Sequence, residues 1–263
     1  MPEEREAHES HGRELCRRQA GGIRFAHVAM PAGLHLPVHA HSRAQLVFVL
    51  SGSYGETWRH GDVRLHAGSA LFRPPEQEHE NDFDRDEVQA LVISYPPERS
   101  VPFAVGPRPA ELPALSPVLK HQILLELPRD DGAADHALEG LALLLLSRIE
   151  RAHQLATPSW LPIALAFVDR HLAEPLSLAT VAAALGVRRS ILAAGFRRHL
   201  GRSVGESIRD ARLGRALDEI RGSRRPLSEI AVDCGFYDQA HMGRLLKRQI
   251  GLTPGEVRST CLM

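Results

Sequence analysis

The chain has 263 residues, of which 43% are hydrophobic and 24% charged, and its 32 basic and 32 acidic residues balance to a net charge of zero. These values are typical of a globular protein, and the length predicts two domains at roughly 100–200 residues each. Three widely spaced cysteines, Cys16, Cys234 and Cys261, exclude a disulfide framework and a cysteine-rich zinc site. No apolar run approaches the ~20 residues that cross a bilayer, so we expect a cytoplasmic protein that does not enter the membrane.

The neutral total conceals an uneven distribution of charge along the chain. Residues 1–156 carry 16 basic and 22 acidic side chains, whereas residues 157–263 carry 16 basic and 10 acidic side chains. The first part is therefore acidic and the second part basic. A basic segment of this size indicates an anionic partner for the second part, and nucleic acid is the main candidate.

The sequence pattern from 22 to 113 is typical of a β-domain. Short apolar or alternating runs at 46–50, 63–65, 70–72 and 88–93 are separated by turns rich in glycine, proline and serine. Short strands at this spacing predict a sandwich or barrel. Residues 1–21, which are highly charged at their start, are predicted to be a flexible lead before this domain.

Between 114 and 156 the apolar spacing becomes helical and predicts two helices separated by the turn 128–132. The second predicted helix is apolar around much of its girth at 141–146, so it must be covered on more than one side. Two interpretations remain open for this helical linker: packing against the barrel of its own chain, and an interface that makes the protein a homodimer.

The last region, 157–263, is predicted to be entirely helical and contains an internal repeat. The segments 178–187 and 227–236 align at an offset of 49, with Ala182 matching Ala231 and Gly186 matching Gly235. Each segment is followed by a longer helical pattern with an apolar residue every four positions. A small residue, a glycine turn and a second helix are typical of a helix-turn-helix unit. The repeat predicts one unit at about 178–200 and another at about 227–250.

The side chains outside the apolar stripes of these units are of the types that contact bases and phosphates in DNA. Glutamine pairs with adenine edges and arginine with guanine, while lysine and arginine farther along the helix suit phosphates. Residues 193–195 offer no polar group, so the first unit must rely on both ends of its helix. A merely solvated basic face is the alternative interpretation. The predicted DNA-binding residues are Arg188, Arg189, Ser190, Arg197, Arg198, Tyr237, Gln239, His241, Arg244, Lys247 and Arg248.

The segment GFYDQAHMGRLLKRQIGLTP at 235–254 resembles the signature of the AraC/XylS family, as do EPLSL at 174–178 and RLGRAL at 212–217. The resemblance covers about residues 160–260. It implies a bacterial transcription regulator that places two recognition helices in neighbouring major grooves and acts with RNA polymerase. The chain departs from the family at Ala194, where a polar or basic residue is usual, and at Leu246, where an aromatic is usual.

A second group of residues in the front domain has the donor set of a metal site. His39 and His41 are two positions apart and would share one face of a strand, and Gln45 and His79 would approach from the same region. Three imidazoles and an amide suit a divalent metal. The same residues also suit the lining of a pocket for a small effector, and the sequence leaves both interpretations open.

The spacing of these residues resembles the two motifs of the cupin family over about residues 35–90, with Gly52 and Gly68 at the expected turns. Metal-binding cupins usually carry glutamate where Gln45 stands and a polar residue such as asparagine where Phe83 stands. The resemblance therefore implies a cupin-like barrel whose ligand set is incomplete.

Together these observations predict an α+β multidomain protein: a cupin-like barrel at 22–113, a helical linker at 114–156 and an all-α domain at 157–263. We expect a sequence-specific DNA-binding regulator that is not an enzyme and is controlled by an effector or metal. The alternative is a metal-dependent cupin enzyme with a helical appendage. An enzyme would need a complete ligand set and a general base, whereas the regulator needs two basic helix-turn-helix units.

Overall fold

The structure is a computed structural model that describes residues 12–98, 110–111, 117–154 and 158–260. It divides into two compact units. The first comprises residues 1–113 and 123–146, and the second comprises residues 114–122 and 147–263. The predicted fold class is confirmed, because the first unit contains β-sheets and the second is helical.

Ten strands are described in the first unit, and they form two antiparallel sheets. The six-stranded sheet has the order β1-β2-β9-β4-β7-β10 and the four-stranded sheet the order β3-β8-β5-β6. Fully buried side chains such as Phe25, Leu46 and Leu91 form the core, as expected for strands whose alternate residues point inward. The strands are β1 (Arg13–Ala20), β2 (Ile23–Met30), β3 (His35–His39), β4 (Ala44–Ser51), β5 (Ser53–Trp58), β6 (Gly61–His66), β7 (Ala70–Arg73), β8 (His79–Phe83), β9 (Val88–Tyr95) and β10 (Ala110–Glu111).

Strand β1 corrects the prediction of a flexible lead at 1–21, of which residues 1–11 lie outside the described chain. Residues 13–20 pair with β2 in an antiparallel ladder, and Arg18 Nε donates to Asp135 Oδ1 at 2.5 Å. The prediction was wrong because it relied on charged side chains. At a sheet edge the charges point to solvent while the backbone pairs with its neighbour.

The predicted linker 114–156 contains two helices, α1 (Pro117–Glu126) and α2 (Gly132–Gln154), and residues 155–156 lie outside the described chain. Both helices are shared between the two units. Within the first unit, Leu138 and Leu145 of α2 are fully buried, and the Tyr95 hydroxyl donates to the carbonyl of Ala142 at 3.0 Å. This is the packing on the chain's own barrel that the apolar pattern of α2 suggested.

The rest of the second unit consists of seven described helices. No single helix in the described part of the chain is long and apolar enough to cross a membrane, and only α4 and α5 counted together, as a bent pair, reach that length and hydropathy. The helices are α3 (Trp160–Arg170), α4 (Leu178–Leu185), α5 (Arg189–Leu200), α6 (Val204–Gly222), α7 (Leu227–Asp233), α8 (Gln239–Ile250) and α9 (Pro254–Thr260).

Candidate DNA-binding surface and histidine cluster

The first helix-turn-helix unit consists of α4 and α5, whose axes meet at 105°, within the usual range for this motif. Helix α4 begins with a capping box in which Ser177 and Thr180 satisfy each other's backbone N–H groups. It ends at Gly186, whose φ of 64° turns the chain into α5. Buried Ala182 belongs to the core that α4 and α5 share with α3. The turn predicted from the glycine is confirmed.

The second unit, α7 and α8, repeats this arrangement. Gly235 makes the turn with a φ of 80°, and the Asp238 side chain caps α8 by accepting from His241 N–H at 2.6 Å. Buried Met242 and Leu246 pack on Ala231 and Cys234 in one core. Burial raises the pKa of the Cys234 thiol to about 11. It is therefore a packed core residue, as a small side chain between helices should be.

Helix α5 presents its predicted DNA-binding side chains to solvent: Arg188, Arg189, Ser190, Arg197 and Arg198 are all exposed. The adjacent face carries Gly195, which sequence analysis treated only as a position without a polar group. A Cβ atom built there would lie 2.4 Å from Cη2 of Trp160. Gly195 is thus a position of close contact between α5 and α3, and this contact explains why position 195 carries no side chain.

Helix α8 also presents most of its predicted set, since Tyr237, Gln239, Arg244, Lys247 and Arg248 are exposed, Tyr237 by 89%. His241 is half-buried. Its ring packs edge-on against Phe236, and its Nδ1 accepts from the Tyr237 N–H at 3.4 Å. His241 therefore shapes the turn before α8 as well as lying on its surface. Lys247 Nζ is 3.7 Å from Glu256, a surface pair that a phosphate can replace at small cost.

Helix α1 contributes to the core of the second helix-turn-helix unit, a role that sequence analysis did not identify. Val118 is buried in the same cluster as Met242 and Leu246. Lys120 Nζ donates to Asp218 Oδ1 of α6 at 2.9 Å, and His121 Nε2 lies 3.1 Å from the same oxygen. The helical spacing of its apolar residues predicts α1, but this spacing does not indicate which hydrophobic core the apolar face packs in.

The three predicted histidines of the barrel converge. Strands β3 and β8 pair His39 with His79 directly, and their ring centroids lie 4.3 Å apart. His41 lies beyond the end of β3 rather than on it, after a register shift between Leu36 and His39, yet its ring is 5.2 Å from that of His79. One ring nitrogen from each histidine lies within 4.8 Å of the others. These distances suit three ligands of one metal ion.

Hydrogen bonds to backbone carbonyls fix the orientation of two of the three rings. Nδ1 of His39 is 2.7 Å from the carbonyl of Pro37, and Nδ1 of His79 is 2.9 Å from that of Gln77. Since a carbonyl only accepts, these nitrogens carry the proton and each Nε2 keeps its lone pair, the arrangement usual in metal-binding histidines. Nε2 of His79 is buried and has no hydrogen-bond partner among the described residues. Burial and the charge of Arg73 lower the pKa of His79 to about 4, so its imidazole is neutral at pH 7.

A buried ion pair that sequence analysis did not identify adjoins the histidines. The Arg73 guanidinium donates through Nε to Glu56 Oε1 at 2.8 Å and through Nη1 to the Gln45 oxygen at 3.0 Å. Asn81 Nδ2 donates to Glu56 at 3.1 Å. Glu56 is completely buried; burial opposes its ionisation, but Arg73 outweighs it and lowers the pKa of Glu56. Gln45, the predicted fourth ligand, thus gives its oxygen to Arg73.

Comparison with known proteins agrees with the presence of a helix-turn-helix domain and a cupin domain. Residues 181–260 match a helix-turn-helix domain family and residues 26–95 match a cupin domain family. The regulatory protein SoxS of Escherichia coli K12 is 34% identical over 94 residues, which are 36% of this chain and 88% of SoxS. A putative AraC-like transcription regulator of Streptomyces antibioticus is 30% identical over 145 residues, 51% of this chain and 48% of that protein. A solved AraC-type DNA-binding domain structure from Chromobacterium violaceum is 27% identical and covers 38% of this chain and 90% of that chain, with a TM-score of 0.37.

The fold and the two exposed cationic helices define a DNA-binding protein with a double helix-turn-helix domain and a cupin domain. The relatives named above are regulators of transcription. The chain belongs to the AraC/XylS family of transcription regulators, and the prediction of a DNA-binding regulator is confirmed.

Proposed function

We propose that α5 and α8 lie in two neighbouring major grooves on one face of the DNA and read its sequence there. Arg188, Arg189 and Ser190 would make the base contacts of the first unit, and Tyr237, Gln239, His241 and Arg244 those of the second. Arg197, Arg198, Lys247 and Arg248 lie farther along the two helices and would bind phosphates.

The observation that carries this proposal is the equivalence of the two units. Each has a short helix, a glycine turn with positive φ, and a second helix that buries two residues four positions apart, Leu192 and Phe196 in one unit and Met242 and Leu246 in the other. In both, the opposite face is exposed and cationic. Helix α6 connects the two units, so the two exposed helices belong to one domain and can contact the same DNA molecule.

The experiment is a selection from a randomised DNA library with the full chain at two salt concentrations. We expect a bipartite motif whose halves are about 10 base pairs apart, one helical turn. The logarithm of the affinity should fall linearly with the logarithm of the salt concentration, as counterions leave the phosphates. A single short motif would show that one unit alone reads sequence, and no enriched motif would refute the proposal.

We also propose that the barrel is the sensory domain and that His39, His41 and His79 hold a divalent metal there. The support is the distance between the nitrogens, their orientation by backbone carbonyls and the unsatisfied Nε2 of His79. Such a metal would leave coordination positions open to an oxygen or nitrogen atom of an effector. A pocket lined by the same histidines, without metal, is the alternative for the effector.

A regulatory role suits this barrel better than an enzymatic one. The carboxylate near the histidines, Glu56, is held by three nitrogen atoms of Arg73 and Asn81 and is fully buried. A base held in this way is poorly placed to abstract a proton from a substrate.

We further propose a cytoplasmic homodimer that acts with RNA polymerase. The apolar face at Leu143, which is 41% exposed on α2, would contribute to the dimer.

A further inference from the structure

The middle of the recognition helix α5 exposes two apolar side chains on its cationic face. Ile191 is 40% exposed, and Ala194, three positions farther along, is exposed as well. Residues three apart in a helix are neighbours on its surface, so these two form one apolar patch. Exposed arginines lie before the patch, at the start of α5, and after it, in the last turn. The apolar patch therefore belongs to the face that the proposed function turns toward DNA.

The internal repeat relates this patch to residues of the second unit. The two buried residues of α8 follow the two buried residues of α5 by 50 positions in each case. When the helices are aligned by these residues, Ile191 corresponds to His241. In the same alignment Ala194 corresponds to Arg244. The proposed function assigns base reading to His241 and Arg244, so the apolar patch occupies the equivalent positions of the first unit.

The chemistry of the patch selects one base. Thymine presents its C5 methyl group in the major groove, whereas adenine, guanine and cytosine present hydrogen-bonding groups there. A methyl group that packs against Ile191 and Ala194 leaves water, and this burial favours the complex. A cytosine at the same place would bring its N4 amino group against alkyl side chains without a hydrogen-bond partner, which disfavours that base.

We propose that Ile191 and Ala194 bind the C5 methyl group of a thymine in the major groove and thereby set the base preference in the middle of the first half-site. The inference rests on the proposed function, because it requires α5 to lie in the groove. It adds two specificity-determining residues and the chemical group that they recognise. The flanking arginines position the helix on the phosphates, which carry no sequence information. The first unit thus reads thymine by apolar contact, whereas the second reads bases by hydrogen bonds.

The first experiment replaces each thymine of the selected DNA site singly by deoxyuridine. This change keeps the base pair and removes only the methyl group. The affinity of the full chain for each substituted site is measured at one salt concentration. We expect one or two thymines at which uracil weakens binding about fourfold, the effect of roughly one buried methyl group. This scan uses the parent chain alone, so its result does not depend on the folding of a variant.

The second experiment repeats the scan with variants. Ile191→Ala keeps a good helix former at an exposed position, should bind the thymine site more weakly, and should lose the discrimination against uracil at one sensitive position. Discrimination is lost because the methyl group and the isoleucine side chain are partners in one contact, so their effects are not additive. The matched control is Ile163→Ala on α3, where the parent isoleucine is 62% exposed. This control should keep the uracil pattern of the parent.

A third variant tests Ala194 by exchange between the two units. Ala194→Arg introduces the residue type of Arg244 at the equivalent position. Arginine pairs with the O6 and N7 atoms of guanine, so a randomised-site selection should show guanine in place of the thymine. An unchanged motif from a folded Ala194→Arg would remove Ala194 from the contact and leave Ile191 alone.

The outcomes separate this inference from the proposed function. A parent chain that selects no motif refutes the proposed function and the inference with it. A parent that selects a motif but tolerates uracil at every thymine overturns the inference alone. Ile191→Ala with an unchanged melting curve and an unchanged uracil pattern also overturns it, as does an equal loss of discrimination in Ile163→Ala.

Discussion

The indole ring of Trp160 lies so close to Gly195 that a Cβ atom on Gly195 would come within 2.4 Å of Cη2 and 2.6 Å of Cζ2. Gly195→Ala must therefore displace the indole or α5. Overpacking costs about 1–3 kcal/mol, which exceeds the gain of up to about 1 kcal/mol from replacing glycine in a helix. We expect a lower unfolding free energy, measured by denaturant titration of the full chain, and weaker DNA binding as α5 shifts.

Gly205→Ala in α6 is the matched control, since its Cβ would make only an ordinary contact of 3.7 Å with Arg209. It should leave stability unchanged or slightly higher. If Gly195→Ala also left the unfolding free energy unchanged or higher, the indole would not be fixed against α5. The close approach of α3 to the recognition helix would then not contribute to stability.

The contrast between Gly195 and Gly186 shows how far the sequence alone predicts this domain. Gly186 stands in a repeated local pattern, so its turn could be predicted and is confirmed. The contact of Gly195 joins residues 35 positions apart, and no local pattern indicates which ring covers it. The same holds for Val118, which packs with residues more than 90 positions away. Helical periodicity predicts an apolar face but not its partner.

In the barrel the short spacing of His39 and His41 indicated that the two lie close together, but His41 lies beyond the end of β3 rather than on its face, and the pairing of β3 with β8 brings His79 to them. The spacing was not enough to predict Arg73 or Glu56. These residues lie on β7 and β5, which belong to different sheets, so their approach depends on how the two sheets pack. A charged residue at an inward position of a strand was the available signal, and its meaning depends on a partner that the sequence does not specify.

The Asp218 carboxylate gives the second prediction. Partial desolvation opposes its ionisation, but His121 and Lys120, whose nitrogen atoms lie 3.1 and 2.9 Å from Oδ1, outweigh desolvation and lower the pKa of this 43% exposed side chain well below its usual value. A carboxyl group with a lowered folded-state pKa stabilises the fold above its unfolded pKa, about 3.9, and loses that contribution as pH falls further. Asp218→Asn should cost about 1–3 kcal/mol of unfolding free energy at pH 7, because buried Lys120 loses its counter-charge.

The pH profile distinguishes this electrostatic role from a packing role. The stabilities of the parent and Asp218→Asn should begin to converge as pH falls below about 4, because the unfolded parent then takes up a proton on this carboxyl that folding must release. Asp169→Asn, an exposed carboxylate on α3, serves as control and should match the parent throughout. A deficit of Asp218→Asn that stayed constant from pH 7 to pH 3 would contradict the ion-pair explanation.

The third prediction tests the histidine cluster directly. Untagged full chain, stripped with chelator and dialysed, should take up one equivalent of zinc, nickel or manganese. His79→Ala should lower that affinity more than about tenfold, since one of three ligands is lost. His66→Ala, an exposed histidine outside the cluster, should bind as the parent does. Absence of uptake for all three metals by a folded parent would leave only the pocket interpretation of these residues.

The fourth prediction separates base reading from phosphate binding on the two recognition helices. Arg244 lies one turn into α8, where side chains reach base edges, whereas Arg198 lies near the end of α5. Losing a base contact typically costs about 1–3 kcal/mol and relaxes preference at one base pair, but losing a phosphate contact weakens all sequences alike and reduces the salt slope by about 1. Arg244→Ala should therefore broaden the selected motif, and Arg198→Ala should lower affinity without changing it.

Both arginines are exposed, so neither substitution should unfold the domain, and thermal denaturation of each variant provides the check. The measurement is a randomised-site selection for both variants at one salt concentration, followed by a salt titration on the selected sequence. The two variants also serve as controls for each other, because each removes one guanidinium from an exposed helix face. A changed motif for Arg198→Ala together with an unchanged motif for Arg244→Ala would reverse the assignment of the two positions. Loss of affinity without loss of preference in both variants would assign both arginines to the phosphate backbone and leave base reading to Tyr237, Gln239 and the start of α5.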